Sequence, residues 1–303
     1  MGRLKALSLA GLVALGAAPA AHAADLLPPA PQLEPSSGPL ESSGWYLRGD
    51  VGVGINSSTS LTNVPNPMSQ GTTGYVPTAY SLSNASNGSS TIIDLGFGYR
   101  FNNWLRADVT GEYRGGESTS AYDQLLWNDG SASPGPNYYV LRNFYHGTRS
   151  AFVGLFNGYV DLGTWYGLTP FVGAGVGVAD SFVTGLTVNG LSSLYSGPES
   201  PAITPTGGYY SDGSETSLAW ALMTGLSYHV NRNLELEMSY RYLNIGGAKS
   251  GAPHCFAATP GLASCDNVLT FGQSSSQDIR LGMRWTLGEA EAPMPSPPVV
   301  AKY

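Results

Sequence analysis

Residues 91–114 read TIIDLGFGYRFNNWLRADVTGEYR, two alternating runs about a polar turn. In the first half Ile93, Leu95, Phe97, Tyr99 and Phe101 share one parity, while Asp94, Gly96, Gly98 and Arg100 share the other. After Asn102 and Asn103 the second half sets Leu105, Ala107, Val109, Gly111 and Tyr113 against Arg106, Asp108, Thr110, Glu112 and Arg114. A period of two is the signature of a strand with two different faces, and the polar turn makes the pair a hairpin. One face is apolar and aromatic; the other carries charges of both signs. A soluble sandwich would bury the first face and put the second in water. A transmembrane barrel turns the first to lipid and the second to its lumen. The hairpin alone fits either, and the rest of the chain decides.

The chain has 303 residues, a formal net charge of −7, 12% charged and 11% aromatic residues, 18 Tyr and 40 Gly. A mean hydropathy of −0.06 excludes a bundle of membrane helices, each of which needs about 20 apolar residues in a row. Barrel strands are only half apolar, so a membrane barrel averages to neutral. The acidic balance, with 14 Lys and Arg, argues against nucleic acid as a partner.

Residues 1–23 read as a secretory signal peptide: Arg3 and Lys5, an apolar core from Leu7 to Ala18, then Ala21-His22-Ala23, with cleavage between Ala23 and Ala24. Residues 24–43 form a Pro/Ser-rich arm, and residues 288–303 a Pro-rich tail. Between them, 44–287 read as one outer-membrane β-barrel of eight strands. The strands are Gly44–Ile55, the two of the opening hairpin, Thr148–Leu162 (Phe152, Phe156, Val160 and Leu162 outward), Leu168–Ala179, Glu215–Val230, Leu234–Asn244 and Ser276–Leu287. The turns at Asn102-Asn103 and Asn231-Arg232-Asn233 resemble each other as a weak internal repeat.

Short turns alternate with four long polar stretches, 56–90, 115–147, 180–214 and 245–275, which read as extracellular loops. Such alternation suits an antiparallel up-and-down barrel with one rim in the periplasm and the other outside. A sheet in lipid must close, because each unpaired edge amide costs several kcal/mol. Trp45, Tyr99, Trp104, Tyr113, Tyr228, Tyr240 and Trp285 fall near strand ends, as membrane-interface aromatics.

The other parity supplies a lumen of opposite charges: Arg48, Arg100, Arg106, Arg114, Arg241, Arg280 and Arg284 against Asp50, Asp94, Asp108, Glu112, Glu235, Glu237 and Asp278. Eight strands enclose only enough room for their own side chains, and Arg binds carboxylates through two donors at once. The expectation is a lumen largely plugged by ion pairs. The alternative is a narrow porin for small polar solutes.

Cys255 and Cys265 both lie in the fourth long stretch, and an exported chain meets an oxidising compartment, so the pair is expected as a disulfide worth about 2–3 kcal/mol. No catalytic constellation stands out: beyond the signal there are His146, His229 and His254, without a nucleophile and orienting group at a telling spacing. No enzyme activity, cofactor or metal is assigned. Tyr138, Tyr139, Tyr145, Tyr195, Tyr209 and Tyr210 give the long stretches a composition suited to protein or glycan contact. Tyr and His also ligate haem iron, so a loop-borne binder of haem or of a host surface is a further alternative.

Several motifs are similar to those of the small outer-membrane surface-antigen barrels of alphaproteobacteria, related to the OmpA-type eight-stranded barrel. They are ADLLPP at 24–29, GWYLRGDVGVG at 44–54, NGYVDLG at 157–163, TPFVGAGVG at 169–177 and DIRLGMRW at 278–285. The resemblance spans about residues 44–287 and implies residence in the outer membrane, in contact with its lipid and with the barrel insertion machinery. It also implies a structural and surface-antigenic role, in some members with contact to a host or extracellular surface or with haem binding. No catalytic residue carries over. One departure is that Trp285 is followed by a Pro-rich tail ending at Tyr303, where such barrels often finish on an aromatic residue read by the insertion machinery.

Overall fold

The alternating runs all become strands, and many of the polar stretches between them do too. The computed structural model describes residues 43–62, 76–128, 138–195, 202–256 and 268–287, with no helix among them. The strands are β1 Gly44–Asn56, β2 Leu61–Thr62, β3 Val76–Leu82, β4 Ser86–Asn87, β5 Ser89–Arg100, β6 Leu105–Asn128, β7 Tyr138–Asp161, β8 Leu168–Tyr195, β9 Ala202–Tyr210, β10 Gly213–His229, β11 Leu234–Lys249, β12 Pro253–Phe256 and β13 Thr270–Leu287. All pairings are antiparallel. The long strands pair in the order β1, β5, β6, β7, β8, β10, β11, β13, and β13 pairs back onto β1. The remaining strands are attached outside this circuit: β3 and β4 on β6, β2 on β13, and β9 on β8 with β12 beyond it.

Register follows chemistry. In the opening hairpin Ile93 lies opposite Tyr113 and Asp94 opposite Glu112, so the two apolar faces coincide and the two charged faces coincide. One residue of slip would interchange them. The outward row stays apolar and exposed, as at Val51 (59%), Leu95 (69%) and Phe156 (59%), while Arg106 and Arg241 on the opposite face are fully buried. This is the inverse of a soluble protein's distribution. Phe152, Phe156, Val160 and Leu162 point outward as expected.

Two turns are built alike. The Asn102 Oδ1 accepts from the amides of Trp104 (2.9 Å) and Leu105 (2.8 Å), and the Asn231 Oδ1 accepts from those of Asn233 (3.0 Å) and Leu234 (2.9 Å). In each, the residue before the Asn donates its amide to the Leu carbonyl, Phe101 to Leu105 and Val230 to Leu234. A side-chain acceptor thus replaces the partner that the tight bend removes.

The long polar stretches correct the expectation of loops. β6 and β7 each run 24 residues and β8 runs 28. At roughly 3.3 Å per residue, 24 residues reach about 80 Å, whereas a tilted crossing of the bilayer takes only about 9–11 residues. The surplus continues the same sheet past the apolar band. Three strands change phase where they leave the band: β6 at the register shift between Arg114 and Glu117, β8 between Thr184 and Thr187, and β11 between Asn244 and Ala248, whereas β7 keeps its odd positions buried throughout. Gly116 (φ 78°) and Gly185 (φ 59°) occupy two of these bulges in the left-handed conformation that a β-carbon would strain. Beyond the bulge of β6 the buried positions switch from even numbers (Glu112, Arg114) to odd (Glu117, Thr119).

The buried side chains make two apolar clusters. One lines the β7–β8–β10–β11 wall, with Val153, Leu155, Tyr159, Phe171, Ala179, Ala219, Ala221, Met223, Leu243 and Ile245. The other lies in the extension, around Leu61, Tyr145, Val183, Leu186, Val188, Tyr210, Leu269 and Phe271.

Candidate functional site

The charged parity of β1, β5, β6, β11 and β13 forms three buried groups of ion pairs. Arg48 reaches Asp50 with Nε at 2.9 Å and Nη2 at 3.0 Å, Asp108 at 3.1 Å and Glu237 at 3.3 Å. Arg106 reaches Asp161 at 3.1 Å and Glu237 at 3.3 Å. Arg284 lies 2.6 Å from Glu237 and also donates to Glu235, which Arg100 holds at 2.7 Å. Farther along, Arg114 grips Asp278 through both terminal nitrogens, each at 2.9 Å, and meets Glu112 at 2.9 Å. Arg241 bonds Glu112 at 2.5 Å and Asp278 at 2.9 Å, and Arg280 holds Asp94 at 3.0 Å.

Several of these bonds join strands that are not neighbours in the sheet. Arg106–Glu237 and Glu112–Arg241 link β6 to β11, and Arg48–Glu237 links β1 to β11. Every side chain named in these bonds is 5% exposed or less except Arg100, at 15%. Removing such ions from water costs several kcal/mol each, so the net stability from a buried pair is small; what these pairs do is tie together strands that the sheet keeps apart.

The first group rests against the apolar wall. The Arg106 guanidinium lies 4.2 Å from the ring centre of Tyr159 and 4.7 Å from that of Phe171. Tyr159 in turn accepts from Arg48 at 2.8 Å. Glycine makes the room. A β-carbon on Gly173 would come within 2.5 Å of the Tyr159 ring, and one on Gly175 within 2.1 Å of the Asn157 Oδ1.

All the expected interior ions thus lie in contact with opposite charges, and four residues join them that the sequence reading did not select. Asp161 binds Arg106; Tyr46 donates to Asp108 at 3.0 Å; Asn157 donates to Asp108 at 2.8 Å; Tyr159 stacks as described. Parity was the available signal: Tyr46 shares it with Arg48, and Asp161 with Tyr159. Beyond the band, Glu117 and Arg149 face each other in register and are buried, and the Arg149 Nη2 donates to Ser181 Oγ at 3.1 Å.

Of the aromatics expected near strand ends, Trp45, Trp104, Tyr113, Tyr228, Tyr240 and Trp285 are exposed and Tyr99 is half-buried. Trp45 stacks on Phe97 at 4.7 Å and meets Tyr99 edge-on at 4.9 Å. Tyr145 and Tyr210, expected to offer contact surface, are instead buried, and Tyr145 donates to Asp123 at 2.7 Å. The side chains of Tyr138 and Tyr139 lie outside the described residues, as do Ala23, Ala24, Cys265 and Tyr303. Cys255 lies on β12. His229 approaches Glu235 at 3.4 Å, and His254 Nε2 shares a hydrogen bond with Ser211 Oγ at 2.9 Å. Among the described residues no group of three or more His, Cys, Asp or Glu is placed to hold a metal ion.

A closed circuit of strands, apolar outside and ionic within, is the architecture of a protein that crosses a membrane with strands. The chain belongs to the family described as "Outer membrane protein beta-barrel domain", which it matches over residues 8–259. It is a protein of the bacterial outer membrane. An uncharacterised protein of Brucella suis is 32% identical over 76% of this chain and 78% of its own length. A Rickettsia canadensis protein named "Putative adhesin" is 31% identical over 52% of this chain and 60% of its own. Among solved structures, Neisserial surface protein A aligns over 82% of this chain and all of its own with 18% identity and a TM-score of 0.36. OprG of Pseudomonas aeruginosa aligns over 82% and 98% with 13% identity and a TM-score of 0.38.

Proposed function

We propose that the protein is an eight-stranded outer-membrane barrel with a filled lumen, serving as a rigid pedestal that presents an extended sheet for surface contact. The observation that supports this reading is the ionic cross-bracing between β6 and β11 and between β1 and β11, because side chains that bond across the barrel take up room a pore would need. The surplus length of β6, β7 and β8 supports the second half, because a pore has no need of strands that run far past the bilayer. Short turns then face the periplasm and the extension faces outward, the arrangement usual for such barrels. The adhesin name of the Rickettsia relative fits the same role. In this account residues 1–23 are the cleaved signal and Cys255 pairs with Cys265. The interface aromatics seat the barrel in lipid after the insertion machinery has placed it there. Neither catalysis nor a cofactor has a place in it.

The test displays the protein on a non-adherent bacterial host and measures attachment to cultured cells. A trimmed form that joins β6 to β7 after Gly115 serves as the control. Attachment that requires the extension supports the reading. Attachment equal to that of the trimmed form, together with swelling of protein-loaded liposomes in small sugars, sinks it and favours a narrow porin.

A further inference from the structure

The outward faces of β6, β7 and β8 form one stripe that runs from the apolar band into the extension. Within the band, Gly111 and Gly154 are register partners, and Gly154 also pairs with Val178. The two bare glycines floor a groove of about 470 Å³ walled by Leu95, Tyr113, Phe152 and Val178. A β-carbon on either glycine would meet nothing within 4 Å among the described residues. Asp180, bonded by the Thr216 hydroxyl at 3.2 Å, marks its upper end.

Past the bulges the stripe changes character. One register row places His146, Thr187, Tyr209 and His254 side by side across β7, β8, β9 and β12. The next row places Tyr122, Phe144, Asn189, Gly207 and Phe256 across β6 to β12, and the row beyond it carries Arg142. Tyr209 and His254 stack at 4.8 Å, and Tyr122 and Phe144 stand 5.0 Å apart. Phe144 is 54% exposed, Tyr209 56% and Phe256 62%. No carboxylate stands in these three rows; Asp180 and the inward-facing Glu112 border the groove below them, and Asp212 accepts from the Gly185 amide at 3.3 Å at the bulge between.

Each level selects a different chemistry. The groove lies in hydrocarbon and takes an acyl chain. Exposed aromatic rings beside Thr and Asn suit the C–H faces and hydroxyls of sugars. Arg142, with His146 and His254, suits phosphate, which Arg binds through two donors. From Phe152 to His146 is six residues, about 20 Å along the strand, and from Phe152 to Arg142 is ten, about 33 Å, both less in height because the strands tilt. One amphiphile spans these levels. We propose that the stripe binds an acylated, phosphorylated saccharide, the glycolipid of the outer leaflet in which the protein itself sits. The bound lipid would hold the extended sheet upright. This inference rests on the outward orientation proposed above.

The test titrates full-length protein, purified from outer membranes and delipidated, with diphosphorylated lipid A, its dephosphorylated form and phosphatidylglycerol, read by native mass spectrometry in detergent. Gly154→Phe fills the groove, with Gly111→Leu as a second variant should the first fail to fold. The Arg142→Glu/His146→Glu pair reverses charge on the upper rows. The inference expects diphosphorylated lipid A to bind best, either groove variant to weaken it at least tenfold, and the charge-reversed pair to weaken it while sparing the dephosphorylated form. Equal retention of all three lipids overturns the inference, as does parent-like binding by the folded variants. Disulfide dimers of Ser120→Cys on cells overturn it in favour of a second copy on this face. Orientation is read separately, by an impermeant maleimide on Ser120→Cys: labelling only after permeabilisation refutes the outward pedestal and this site together. Labelling of intact cells without lipid discrimination refutes this site alone.

Discussion

Replacing Arg106 by Leu is the sharpest stability test of the interior network, because its partners are unequally provided for. Glu237 keeps Arg48 at 3.3 Å and Arg284 at 2.6 Å when Arg106 is gone. Asp161, 5% exposed, loses the arginine that holds it at 3.1 Å and has no other ion pair among the described residues. Breaking one side of a buried pair costs about 3–5 kcal/mol, since the remaining charge is left in a poor solvent. The lost stacking on Tyr159 and Phe171 adds about 0.5–2 kcal/mol. Asp161→Asn in the Arg106→Leu background removes the stranded charge and is expected to recover at least about 1 kcal/mol. The assay is urea unfolding of the refolded protein in detergent micelles, followed by the gel-mobility shift that a closed barrel shows on boiling. A loss under about 1 kcal/mol for Arg106→Leu, or no recovery in the double variant, would refute the claim that these ions are braced in a dry interior.

Two further outcomes are expected. Gly175→Leu, whose β-carbon falls 2.1 Å from Asn157 Oδ1, abolishes refolding, whereas Gly111→Ala, with nothing within 4 Å, refolds like the parent; equal yields of the two would contradict the assignment of inner and outer faces. Cys255→Ser lowers stability by about 2–3 kcal/mol under oxidising conditions and by nothing measurable under reducing ones, and a loss that survives reductant would deny the bond to Cys265.

The band was legible in the sequence because lipid on one side and ions on the other impose an unbroken period of two. Ile93 to Tyr113 shows this on both strands of its hairpin. The strand extensions were not legible, for two physical reasons. Outside lipid the outward row has no need to be apolar, so Ser118, Ser120 and Thr148 give no contrast with the buried Glu117 and Thr119. The bulges at Gly116 and Gly185 also shift the phase by one, so an alternation followed from inside the band fails just where the strand continues. The charged residues were selected by parity and charge, and each of them lies in an ion pair. Asp161 escaped because β7 is apolar on both faces over much of its band, so its inward parity carried no run of charges to draw the eye to a lone carboxylate at the strand's end. Tyr46 and Tyr159 were seen as strand residues, but their role as supports for Arg284 and Arg106 depends on cross-interior contacts that no spacing encodes.

Whether the interior is occupied is read from planar-bilayer conductance. Full-length protein refolded and shown by boiling-sensitive mobility to be closed should insert without producing channel steps in 1 M salt. Arg106→Leu/Glu237→Gln, which cuts the β6–β11 brace, should be the first variant to flicker open. Stable, reproducible steps from the unaltered protein would contradict the filled lumen and make the porin reading the better one.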